Sequence, residues 1–99
     1  MKVYFSPIAE DKLLKLCEYL LAEWGQKAKK DFLYKLDKKI IQISRYPESS
    51  TSSNELGGIY KCVVTKQTTM YYRIQHDAIE VITFFDNRQN PDKLDEFLK

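Results

Sequence analysis

Apolar residues recur along the chain with two different periods, and the change of period divides it into a helical first half and a strand-rich second half. A short alternating run at residues 2–6 predicts a first strand. Spacings of three and four residues then predict a helix whose apolar stripe is Leu13, Leu16, Cys17, Leu20 and Trp24. Ser6 and Pro7 predict its start, as N-cap and first helical residue, and Gly25 predicts its end.

A second helix is predicted directly after Gly25, and its pattern ends at the Tyr46-Pro47 pair. Its apolar face is formed by Ala28, Phe32, Leu36, Ile40 and Ile43. Because the connection is so short, the two helices are predicted to lie antiparallel, as a helical hairpin. Lysines occupy much of the remaining surface of the second helix.

Strand-like runs fill the second half of the chain, at residues 59–64, 68–74 and 78–85. The polar residues 48–57 that precede them predict a loop with neither helix nor strand. The connections at residues 65–67 and 75–77 have lengths that fit hairpin turns. The three strands are therefore predicted to form an antiparallel meander.

The predicted fold class is α+β, with the element order β-α-α-β-β-β-α and the helical hairpin on one face of the sheet. The last element is a short helix that begins at Asn90-Pro91 and contains Leu94, Phe97 and Leu98. Strand alternation assigns a helix-covered face to Tyr60, Cys62, Val64, Met70, Tyr72 and Ile74. The opposite, open face is predicted to carry Lys61, Val63, Tyr71 and Arg73.

Length and composition restrict the class of protein. The 99 residues are expected to form a single domain, residues 1–99, with the 43% hydrophobic and 30% charged residues of an ordinary globular chain. A net charge of +2 does not by itself indicate nucleic-acid binding. We expect no membrane span and no signal peptide, and therefore a cytoplasmic location.

No metal and no organic cofactor is expected from the sequence, which has neither a ligand cluster nor a glycine-rich phosphate loop. Cys17 and Cys62 lack the spacing of a metal or redox motif. They are expected to be small buried thiols.

Several short motifs occur in a fixed order along nearly the whole chain. They are Phe5, Ser6, Pro7 and Ala9; Tyr19-Leu20 with Trp24-Gly25; Phe32 and Leu36; Pro47; Tyr72-Arg73-Ile74; and Asp86-Asn87-Arg88-Gln89-Asn90-Pro91. Together they resemble the RelE/ParE superfamily of bacterial type II toxins. The ending and the Tyr-Arg-Ile strand are more similar to the ParE-like branch.

The resemblance implies a growth-inhibiting toxin of a plasmid-stabilisation system, neutralised by a cognate antitoxin and touching operator DNA only through that antitoxin. RelE-like members cut messenger RNA on the ribosome, whereas ParE-like members poison DNA gyrase by binding it. Thr69 stands where the RelE pattern has an arginine, and the chain lacks the C-terminal His-Tyr pair of some relatives. These departures favour a binding toxin directed at a protein such as gyrase. The alternatives are a ribosome-dependent endonuclease and a degenerate module that keeps only the antitoxin contact.

Four residues are candidates for contacting the target or the antitoxin: Lys61, Tyr71, Arg73 and Arg88. Cationic side chains on a sheet suit phosphate or carboxylate groups. In a nuclease, Lys61, Arg73 and Arg88 would supply the cations, but a general base is hard to find. His76 is predicted at an exposed hairpin tip and Glu55 in the polar loop. No catalytic residue is assigned.

Several of these features also have a purely structural interpretation. Arg73 would pair with Glu80 across the hairpin. Asp86 and Arg88 would fasten their own turn. Trp24 would be a core residue rather than an interface anchor. The lysines of the second helix would form a solvated face rather than a docking site for an acidic antitoxin or for DNA.

Overall fold

Two helices pack against one face of a five-stranded sheet in the computed structural model, which describes residues 1–49, 51–53 and 58–87. The elements are β1 (Lys2–Phe5), α1 (Pro7–Trp24), α2 (Gln26–Arg45), β2 (Thr51–Ser53), β3 (Ile59–Val63), β4 (Thr68–Gln75) and β5 (Ala78–Asp86). The predicted α+β class, helical hairpin and meander are confirmed. The predicted C-terminal helix lies outside the described residues. Among the helices described, none is long and apolar enough to cross a membrane.

The sheet is mixed, with the strand order β1-β5-β4-β3-β2. The meander β3-β4-β5 is antiparallel, as predicted. β1 instead runs parallel to β5, with Lys2 opposite Ala78 and Phe5 opposite Val81. The first strand therefore extends the meander at its last strand, and the sheet as a whole is not antiparallel.

The prediction that residues 48–57 contain no strand is wrong. β2 is an antiparallel edge strand within this range, with Thr51 opposite Lys61 and Ser53 opposite Ile59. An edge strand needs only backbone hydrogen bonds to one neighbour. Three polar residues can therefore form it without burying an apolar side.

β5 contains a bulge at Ile82. Tyr71 pairs with Thr83, whereas the next residue of β4, Tyr72, pairs with Val81, so Ile82 is the extra residue. A bulged residue is left out of the regular hydrogen-bond ladder, and its backbone groups need other partners.

Ser6 supplies such a partner and caps α1 at the same time. Its hydroxyl donates to the Ile82 carbonyl at 2.7 Å, and its backbone N–H donates to the Val81 carbonyl at 2.9 Å. The same Oγ accepts the backbone N–H of Ala9 at 3.0 Å, with Pro7 as the first helical residue, as predicted. Ser6 therefore joins β1, α1 and β5.

Gly25 is the whole connection between the two helices. Its backbone N–H donates to the carbonyls of Leu20 and Leu21 at 3.0 and 3.1 Å, which ends α1 as predicted. Its carbonyl accepts the N–H of Lys29 at 3.3 Å in the first turn of α2. Its φ of +93° lies in a region that glycine adopts without a steric penalty.

The main hydrophobic core lies between the helical hairpin and the sheet. Its buried residues are Ala9, Phe32, Leu36 and Ile43 from the helices and Cys62, Val64, Met70, Tyr72, Ile79, Val81 and Phe84 from the sheet side. Tyr60 and Ile74 are partly buried against this core. The six residues assigned to the helix-covered face are therefore confirmed.

Ser6→Ala is expected to lower the free energy of unfolding by about 1–3 kcal/mol, because it removes the helix cap and the hydroxyl donor to Ile82. Urea denaturation followed by circular dichroism measures this change. Ser49→Ala is the control, since the Ser49 hydroxyl only accepts an exposed hydrogen bond from Gln42 at 3.2 Å. The control should lose less than about 0.5 kcal/mol. Equal losses in the two variants would contradict the role given to Ser6.

Candidate functional site

The sheet face opposite the helices carries the predicted site residues that the structure describes. Lys61 on β3 lies opposite Tyr71 on β4, and Arg73 follows two residues along β4. Lys61 and Arg73 are exposed, whereas the intervening Cys62 of β3 is buried on the helix side. The structure therefore brings Lys61, Tyr71 and Arg73 to one face, as expected. Arg88 lies outside the described residues.

Arg73 is not a free cation. Its Nε donates to Glu80 Oε1 at 2.8 Å, across the β4–β5 hairpin where the two residues are register partners. The Arg73 side chain is 48% exposed and that of Glu80 18%. The predicted pairing is confirmed, and a phosphate or carboxylate bound at Arg73 would compete with Glu80.

Tyr71 contradicts the expectation of a fully open face. It is 7% exposed and packs with Ile59 and Phe85 in a second small cluster, against which Ile82 is partly buried. Burial raises the pKa of Tyr71 above the usual tyrosine value. A partner at this face would therefore meet Lys61 and Arg73 first, with little of the Tyr71 ring available.

The chain leaves β5 through a turn fastened by Asn87, which the sequence analysis did not select. Thr69 Oγ1 donates to Asn87 Oδ1 at 2.7 Å, and Asn87 Nδ2 donates to the Lys66 carbonyl at 3.3 Å. The Asn87 N–H donates to the Gln67 carbonyl at 2.9 Å. The prediction gave this role to Asp86 and Arg88. A side-chain amide just after a strand, with both donors and acceptors, was the available signal.

His76 and Asp77 form the tip of the β4–β5 hairpin, with φ values of 51° and 61°. Positive φ at both central residues is typical of the two-residue hairpin turn. His76 is exposed, and its predicted place at the tip is confirmed. Glu55 lies outside the described residues.

The two thiols are buried and free, as expected. Burial raises the pKa of Cys17, and the nearby Lys29 charge partly offsets this effect. Cys62 belongs to the core between helices and sheet. Neither thiol lies on the face of Lys61 and Arg73.

A groove of about 500 Å³ lies between the helical hairpin and the end of the sheet where β4 begins and β5 ends. Its apolar lining includes Leu16, Leu20, Ala28, Phe32 and Phe84. Two aromatic residues of α1, Tyr19 and Trp24, also line it and are 46% and 71% exposed. The interpretation of Trp24 as a core residue is wrong, because the last turn of α1 extends beyond Leu20, the final α1 residue packed on the core.

Charged side chains surround this apolar lining: Lys12, Lys15, Asp31, Lys35 and Asp86. Burial lowers the pKa of Lys12, so a carboxylate brought close to it would favour its charged form. Lys15 already pairs with Asp11 at 3.0 Å on the surface. The groove therefore suits an amphipathic segment that has an apolar side and acidic residues.

The sequence matches a known family over residues 3–91, the ParE toxin of type II toxin-antitoxin system, parDE. The chain belongs to this ParE toxin family. The resemblance to the RelE/ParE superfamily, and to its ParE-like branch, is thereby confirmed. No curated protein sequence matches the chain significantly.

Solved structures of low sequence identity share the fold of this ParE-family chain. The chromosomal ParDE toxin-antitoxin system from P. aeruginosa matches with a TM-score of 0.73 and 9% identity, over 87% of this chain and 95% of that chain. The YoeB/ParE toxin from Agrobacterium tumefaciens matches with a TM-score of 0.64 and 16% identity, over 88% and 99%. The YoeB-YefM toxin-antitoxin complex from Staphylococcus aureus matches with a TM-score of 0.58 and 15% identity, over 86% and 94%.

The Arg73–Glu80 pair is expected to contribute little to the stability of this ParE-family toxin. A double-mutant cycle with Arg73→Ala and Glu80→Ala should give a coupling energy of about 0.2–1 kcal/mol, because a half-exposed ion pair is screened by water. Urea denaturation of the four proteins measures it. A coupling energy above about 2 kcal/mol would show that Arg73 is held mainly for folding.

Proposed function

We propose that the chain, as a single toxin domain, inhibits bacterial growth by binding a protein target such as DNA gyrase, and that a cognate antitoxin neutralises it. The observation that carries the proposal is the environment of Thr69. At the position where RelE-like nucleases have an arginine, Thr69 is 4% exposed and its hydroxyl donates to Asn87. This side chain fastens the turn and has no charge to offer a phosphate.

Cleavage of RNA through its 2′-hydroxyl requires a general base, a general acid and cations that stabilise charge on the phosphate. In the described part of the chain, the sheet face has Lys61 and Arg73 as cations, and Arg73 is shared with Glu80. His76 lies beyond this pair, at the hairpin tip. These positions do not assemble an acid and a base around one phosphate, which supports a binding toxin.

The second candidate is a ribosome-dependent endonuclease of the RelE kind. The exposure of Lys61 and Arg73 on one sheet face favours it, because two cations there could hold an RNA backbone. Under this hypothesis Lys61, Arg73 and Arg88 would carry the activity.

The purified protein is expected to inhibit plasmid supercoiling by gyrase and to leave messenger RNA intact on purified ribosomes. Lys61→Ala combined with Arg73→Ala should raise the concentration for half-inhibition about ten-fold, through loss of charge-assisted contacts. Lys2→Ala combined with Lys27→Ala is the charge-matched control and should behave as the parent. Supercoiling that stays normal at a large molar excess would reject gyrase as the target. Cleavage of the message in the ribosomal A site would support the endonuclease instead.

The antitoxin is proposed to place an amphipathic segment in the groove that Trp24 and Tyr19 line. Exposed aromatic residues at a concave apolar site are typical anchors of protein interfaces. Three lysines line the groove against two aspartates, which favours an acidic partner. Such a segment becomes ordered only on binding, so the affinity must come from a large buried area.

Trp24→Ala is expected to weaken binding of the protein encoded beside the toxin gene by about 30-fold, the effect of losing an aromatic anchor worth roughly 2 kcal/mol. Isothermal titration calorimetry measures the dissociation constant. Tyr34→Ala is the control, since Tyr34 is an aromatic residue of α2 that is 62% exposed and lies outside the groove lining. If both variants bind as the parent does, the antitoxin does not use the groove.

A further inference from the structure

The exit of the chain from the sheet is held by three hydrogen bonds that converge on one residue. The Asn87 side chain accepts from Thr69 Oγ1 at 2.7 Å and donates to the Lys66 carbonyl at 3.3 Å, while its N–H donates to the Gln67 carbonyl at 2.9 Å. We call these three bonds the Asn87 clamp. They tie the end of β5 both to the start of β4 and to the β3–β4 turn.

The groups that Asn87 contacts are themselves fixed. Thr65 Oγ1 accepts the backbone N–H groups of Gln67 and Thr68 at 3.3 and 3.2 Å, which holds the β3–β4 turn in shape. Thr69 is 4% exposed, so its hydroxyl would lose its hydrogen-bond partner if Asn87 moved away. Asn87 itself is exposed and could bond to water instead. The clamp therefore restrains a surface residue by means of a buried one.

We propose that the Asn87 clamp is a positioning device for target binding. It sets the place and direction in which the chain continues towards Arg88, a candidate contact residue, and this inference rests on the proposed function. Thr69 and Asn87 are positioning residues, which act through the segment of chain that begins at Arg88. In this family member, the position of a nuclease arginine is thus used to aim the next segment of the chain.

The clamp and the groove are adjacent but chemically separate. Gln67 lines the groove and contributes to the clamp only through its backbone carbonyl. Thr69 and Asn87 are not among the residues that line the groove. Changes in their side chains should therefore affect toxicity without a comparable effect on the antitoxin.

The test compares four full-length variants for growth inhibition at matched protein levels and for affinity to the product of the adjacent reading frame. Thr69→Val removes the hydroxyl at constant shape, and Asn87→Ala removes both side-chain bonds. Each should raise the protein level needed for half-maximal growth inhibition about five-fold, the effect of one or two lost neutral hydrogen bonds. The antitoxin dissociation constant should change less than about two-fold. Thr69→Ser keeps the hydroxyl and should restore toxicity.

Tyr72→Phe controls for stability, because it removes another hydrogen bond of β4, from the Tyr72 hydroxyl to the Pro47 carbonyl at 2.7 Å. It should lower the unfolding midpoint in urea as Thr69→Val does but leave toxicity unchanged. Equal loss of toxicity in these two variants, or parental toxicity in Thr69→Val, would overturn the positioning role. Growth inhibition is read without assuming a target. If the parent fails to inhibit gyrase while Thr69→Val still loses toxicity, the proposed target is wrong and the clamp stands.

Discussion

The arrangement of the molecule depends on the junction at Ser6, where the first strand, the first helix and the last strand meet. The bulge at Ile82 leaves a carbonyl outside the ladder, and the Ser6 hydroxyl binds it at 2.7 Å while also capping the helix. One side chain therefore fixes the start of the helical hairpin relative to the sheet. The groove has the hairpin as one wall and the end of β5 as the other, so its width follows from this junction.

Local patterns were sufficient for the helices and the meander, because each of these elements has its own periodicity and its own caps or turns. Ser6 and Gly25 end up in the roles that their residue types predict. The same reasoning could not find β2, whose three polar residues pair through the backbone alone. Nor could it find the parallel pairing of β1 with β5, which joins opposite ends of the chain and leaves no local signal.

The candidate site was predictable as a face but not as a set of available groups. Alternation placed Lys61 and Arg73 together, whereas the burial of Tyr71 depends on Ile59 and Phe85 from neighbouring strands. The role of Asn87 depends on a partner 18 residues away on another strand. Trp24 continues a helical stripe in sequence, yet the stripe ends at the surface because the helix is longer than the sheet surface that it covers.

Trp24 is the single tryptophan of the chain, and its indole is 71% exposed at the rim of the groove. Tryptophan emission shifts to shorter wavelength when the ring leaves water. The native protein therefore contains its own optical probe of groove occupancy, free of interference from a second indole. Rapid mixing with fluorescence detection can follow the arrival and departure of a bound segment without any dye.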